Sequence, residues 1–98
     1  MYEYFGLVVF FFSNEHQPVH VHGEYKDRAS KAELIIQNGK VVEIRFQSVK
    51  GRKPLEHQQM HDFKVLVKKR ANDIVGKWVD FFIYGRHIRP ETIRRRLR

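Results

Sequence analysis

The chain has 98 residues, 42 % hydrophobic and 31 % charged, with eight Phe, four Tyr and one Trp, which is the composition of one globular domain over residues 1–98 and not of a disordered or collagenous chain. The absence of cysteine excludes a disulfide framework and a thiolate zinc site, and is compatible with a cytoplasmic location. The net charge of +8 is uneven, with −1 on residues 1–49 and +9 on residues 50–98; such a field attracts nucleic acid, anionic lipid or an acidic protein partner without choosing among them.

The first half reads as sheet. Tyr4 to Phe12 is the first expected strand, with Phe5, Leu7, Val9 and Phe11 on one face and Val8, Phe10 and Phe12 on the other. Its apolar run is far shorter than the ~20 residues of a membrane span. Glu3 stands where a signal peptide carries basic residues, so no membrane association is expected. A strand apolar on both faces is covered twice, or covered once and buried in a homodimer. A loop on Ser13, Asn14 and Pro18 leads to a second strand, His20 to Tyr25; Ser30 to Ile36 and Val41 to Phe46 are the third and fourth.

Between these last two, Asn38-Gly39 invites a two-residue hairpin loop. That register sets Leu34 against Glu43 and Ile44 against Glu33, mixing core with charge. A three-residue loop, Gln37-Asn38-Gly39, with Gly39 left-handed in a bulge, sets Leu34 against Val42 and Ala32 against Ile44. It leaves Lys31, Glu33, Glu43 and Arg45 on a solvated face, and it is the register expected.

The second half reads as helix. Pro54 suits a first helical position, Glu56 and Asp62 sit early, and Lys68, Lys69 and Arg70 sit late, as the helix dipole prefers. Met60, Phe63, Val67, Ala71, Ile74, Trp78 and Phe82 step by three and four as one apolar stripe. Asn72 as a cap and Gly76 as a weak point divide the stripe into two consecutive helices, or one that bends near residue 72. Gly85 is the expected stop, and Pro90 to Leu97 is expected to add a short basic helix. The expected fold is α+β: a four-stranded, mainly antiparallel meander (1–49) with two C-terminal helices on one face and a short basic C-terminal segment (50–98).

Three of the six histidines fall within residues 14 to 25. Strand periodicity puts His20, His22 and Glu24 on one face, and the stiff Pro18 turn holds His16 near them. His16, His20 and His22, with Glu15 or Glu24, would supply three protein ligands and an open position for zinc or another divalent transition metal. The plainer reading is a polar groove of Glu15, His16, His20, His22 and Glu24. His57 and His61, at i, i+4, lie off the apolar stripe and are expected in solvent.

No Ser or Cys stands in a nucleophile context, and no glycine loop cradles phosphate. A proton shuttle of His with cationic Arg would suit phosphodiester cleavage. Arg86, Arg89, Arg94, Arg95, Arg96 and Arg98, with Lys50, Arg52 and Lys53, are the expected phosphate or partner contacts. Tyr84 and His87 are interleaved for stacking, and Phe81, off the stripe, is the aromatic expected to face a partner chain. Two function classes stay open: a binding or regulatory module, and a metal- or histidine-dependent hydrolase or nuclease.

Phe5-Gly6 before an apolar strand, then Glu15, His16, Pro18, His20 and His22, resembles the bacterial family catalogued as domain of unknown function 4160. That family's pattern is an acidic residue, His, any residue, Pro-Pro, His, an apolar residue, His. Val19 stands here in place of the second proline, and the likeness continues more loosely through Trp78 and Phe81 to Leu97. The resemblance implies a small α+β protein of bacterial, cytoplasmic origin, no settled activity, and a partner in an arrangement like toxin–antitoxin pairs.

Overall fold

Short turns organise the sheet. The computed structural model describes residues 1–11 and 19–97. Among them the strands are β1 (Tyr2–Tyr4), β2 (Leu7–Phe11), β3 (Val19–Tyr25), β4 (Arg28–Gln37), β5 (Lys40–Ser48) and β6 (Glu91–Ile93). Helices α1 (His57–Lys69) and α2 (Ala71–Trp78) and a π-helical turn, Val79–Ile83, lie between β5 and β6. The sheet order is β5-β4-β3-β2-β1-β6. β1 to β5 form an antiparallel meander, and β6 joins parallel to β1. The class is α+β with two consecutive C-terminal helices, as expected, but the sheet is six-stranded and mixed, not four-stranded and antiparallel.

The expected strand Tyr4 to Phe12 is two strands. The chain reverses at Phe5-Gly6, where both residues have positive φ, 51° and 87°, the turn whose twist matches a hairpin. Phe5 therefore sits in a turn and is 46 % exposed, while Tyr2, Tyr4, Leu7 and Val9 face the core. Phe12, Ser13, Asn14 and Pro18 lie outside the described residues.

The expected β4–β5 loop is also corrected. Asn38-Gly39 forms a two-residue turn with positive φ at both positions, and Gln37 pairs with Lys40 and Ile36 with Val41. The register then shifts, leaving Val42 without a pairing partner and 54 % exposed. After this bulge Leu34 pairs with Ile44 and Ala32 with Phe46. One extra residue thus removes the conflict between core and charge that the two-residue loop otherwise creates.

Pro54 does not start the helix. Leu55 is buried, and its N–H donates to the buried Ser30 hydroxyl at 3.2 Å; this holds the segment across the end of the sheet and delays α1 to His57. The helices divide at Arg70 instead of at Asn72, which lies exposed inside α2. Asp62, early in α1 as expected, is buried, accepting from Gln58 at 3.1 Å and from Arg96 at 3.0 Å. Gly85, with φ 64°, follows the π-helical turn as a stop.

The expected basic helix at Pro90 to Leu97 is instead β6. β1 would otherwise leave one edge of backbone donors and acceptors unpaired; β6 fills it, Ile93 is buried there, and the Glu91 N–H donates to the Met1 carbonyl at 2.9 Å. The segment is pinned further by the Leu97 N–H on the Tyr4 hydroxyl at 2.8 Å and by the Arg96 guanidinium 4.1 Å from the Phe5 ring centre.

The core lies between the helices and one face of the sheet. Phe63, Leu66, Val67, Ile74 and Trp78 pack with Tyr2, Tyr4, Leu7, Val9, Val19, Val21, Ala32 and Leu34. At Gly23 on β3 the layers approach closely: a Cβ there would stand 2.7 Å from Phe63 Cδ1. Beside them the Tyr2 hydroxyl donates to Asp73, which also receives Lys77 at 2.8 Å. No helix among the described residues is long and apolar enough to cross a membrane.

Candidate nucleic-acid interface

Alternation along β3 sorts its residues. Val19, Val21 and Gly23 are buried against the helices, while His20, His22 and Glu24 emerge on the opposite face of the sheet, which no helix among the described residues covers. This is the arrangement the spacing predicts. The two-residue turn Lys26-Asp27 then fixes the neighbours, setting His20 opposite Glu33 and His22 opposite Lys31. On the other side His22 pairs with Phe10 and Glu24 with Val8.

The open face therefore carries a row Phe10, His22, Lys31 beside a row His20, Glu33, Arg45. The Phe10 and His22 ring centres are 5.8 Å apart. A Glu33 carboxylate oxygen lies 3.8 Å from His20 Nε2.

A loop completes the site. After β5 the chain turns, the Arg52 N–H donating to the Val49 carbonyl at 3.0 Å, and the Lys53 carbonyl accepts from the Ala29 N–H at 2.9 Å. Arg52 is held by Glu24, 3.2 Å from Nη1, and by the Asp27 carbonyl, 3.3 Å from Nε. The resulting cleft of about 390 Å³ is lined by Phe10, His20, His22, Glu24, Lys31, Val49, Lys50 and Arg52. Among the described residues three permanent cations, Lys31, Lys50 and Arg52, face one carboxylate, Glu24. Burial, then the positive charges of Lys31 and His20, lowers the His22 pKa below the ordinary imidazole value, with Glu24 opposing.

Of the residues expected in the polar groove, His20, His22 and Glu24 come together here; Glu15 and His16 lie outside the described residues. Among the described residues no three His, Asp or Glu side chains form a metal-binding group. The zinc expectation needs a third ligand such as His16, so the described residues alone do not make up that site. His57 and His61 are exposed on α1, in the helix layer across the sheet from the cleft.

The C-terminal arginines are dispersed. Arg86 pairs with Asp80 at 3.2 Å and lies 5.0 Å from the Tyr84 ring centre. Arg96 is tied to Asp62. Arg89, Arg94 and Arg95 are exposed, and Arg98 lies outside the described residues. Phe81 is 45 % exposed beside Ile83 and Tyr84.

Phe10 and Lys31 as members of the cleft were not foreseen from the sequence. Both follow from register: once Lys26-Asp27 is taken as a two-residue turn, Lys31 must face His22 across β3 and β4. Lys50 and Arg52, expected as phosphate contacts, come to the histidines only through the loop after β5.

No curated protein and no solved structure matches the chain. The family model for the domain of unknown function (DUF4160) does match, over residues 6–79, a span that holds every lining residue of the cleft; with well over half its length inside that match, the chain belongs to this family.

Proposed function

We propose that the protein is a cytoplasmic binding module that takes single-stranded nucleic acid on the open face of its sheet. The observation that carries this reading is the cleft, where Lys31, Lys50 and Arg52 lie around the partly exposed rings of Phe10 and His22. Cations along a backbone path and aromatic faces for unstacked bases are the two requirements of single-strand binding. A duplex keeps its bases stacked and offers nothing to Phe10. The overall +8 charge adds to the attraction for phosphate.

The test is fluorescence anisotropy of labelled single strands, RNA and DNA, and of the matching duplex, across a salt series. Single strands should bind more tightly than duplex, with log K falling by roughly 0.7 per decade of salt for each phosphate neutralised. Three such contacts give a slope of about −2. No binding of any strand at low salt would overturn the reading and leave an acidic protein as the partner the basic half serves.

A further inference from the structure

We propose that this cleft also cleaves RNA, by transesterification at a phosphodiester held between His22 as general base and His20 as general acid. The inference rests on the single-strand reading above, and adds to it a reaction and a substrate class.

Geometry comes first. His20 and His22 are successive residues on one face of β3 and line the same cleft. Same-face neighbours on a strand stand roughly 6.5–7 Å apart along the chain, a span that receives one phosphodiester with a hydrogen bond at either end. Lys31 lies directly across from His22, and Arg52 and Lys50 close the other side. A phosphodiester placed there meets cations where charge grows as phosphorus becomes five-coordinate.

The two imidazoles have different surroundings. His22 stands directly across from Lys31, and burial together with that positive charge lowers its pKa below the ordinary imidazole value, which favours the proton-accepting form. His20 has the Glu33 carboxylate 3.8 Å from Nε2, a counter-ion for its protonated form. Two titratable groups in unlike environments are the usual arrangement for an acid–base pair.

The step balances without a co-reactant. His22 takes the proton of the ribose 2′-hydroxyl, whose oxygen forms a new bond to phosphorus. The bond from phosphorus to the 5′-oxygen breaks, and His20 gives its proton to that leaving oxygen. The products are a 2′,3′-cyclic phosphate and a 5′-hydroxyl, and solvent exchange restores the two histidines. DNA, without the 2′-hydroxyl, binds and survives.

The experiment uses the full chain, purified without a histidine tag and assayed in EDTA. The probes are a labelled RNA, the same strand in DNA, and the RNA with one 2′-deoxy residue. Expected are fragments ending in 2′,3′-cyclic phosphate by mass spectrometry, no cut in DNA, and none at the 2′-deoxy position. H20Q and H22Q should each lower the single-turnover rate at saturating protein by at least about a hundredfold, with circular dichroism unchanged, saturation keeping any loss of affinity out of the rate. The pH profile should be bell-shaped, its limbs moving in the two variants. RNA bound but not cut would overturn the nuclease and leave the binding module standing. Cleavage equal in wild type, H20Q and H22Q would overturn it as a contaminant. Cleavage only after metal is added, or ending in a linear phosphate, would overturn it in favour of a metal-dependent hydrolase. No RNA binding at all would end both proposals.

Discussion

On β3, Val19, Val21 and Gly23 point toward the helices while His20, His22 and Glu24 point away, so neighbouring residues of one strand obey different constraints. The inner face is closed: its side chains are buried and Phe63 rests on Gly23 without room for a methyl group. On the outer face Glu24 is paired with Arg52, Glu33 lies 3.8 Å from His20 Nε2, and these groups remain reachable from solvent. Inner positions therefore control whether the fold forms, and outer positions control what the fold can hold. That division can be tested residue by residue.

The largest effect is expected from Phe63→Ala, which should cost about 3–5 kcal/mol in chemical denaturation, since the ring is fully buried between α1 and the sheet. Gly23→Ala should cost about 1–3 kcal/mol, because a buried ring must shift to admit one methyl. Its outward neighbour His22 is expected to tolerate Gln with little change at neutral pH. Equal losses at these two adjacent positions would break the comparison.

On the outer face, Phe10→Ala should leave stability within roughly 1 kcal/mol yet weaken single-strand binding about tenfold, the scale of one lost base stack. Lys31→Gln and Arg52→Gln should each reduce the salt slope by about 0.7 while acting alike on all sequences. The smallest effect concerns pH. His22 has its pKa lowered in the folded protein, so the unfolded chain binds more protons once pH drops below the ordinary imidazole value. The folded state should lose stability as pH falls from there through the lowered value, and denaturation of H22Q across that window should be flatter than wild type.

The two faces also differed in how far sequence could reach them. Alternation alone placed His20, His22 and Glu24 together, because it requires only that the segment be extended. Their cross-strand neighbours required register, and register depends on single residues. Asn38-Gly39 is the turn the chain adopts, although a strict ladder would pair Leu34 with Glu43; the bulge at Val42 removes that conflict. Both registers keep the same parity beyond the bulge, so Ala32, Leu34 and Ile44 fall on the core face with other partners than expected, while Val42, expected opposite Leu34, is exposed. The Phe5-Gly6 reversal was hidden because a phenylalanine occupies a left-handed position that composition assigns to Asn or Gly. β6 was hidden because three residues carry no period, and its pairing is decided by the open edge of β1 at the other end of the chain.

That last pairing affects how the molecule assembles. The β1–β2, β3–β4 and β4–β5 hairpins close through two-residue turns and can zip locally, whereas β1 meets β6 only after nearly the whole chain has been gathered. Loop-closure entropy and contact order place this step late in folding. The same seam should be the first to exchange its amide hydrogens under native conditions, ahead of the histidine-bearing strand at the centre of the sheet.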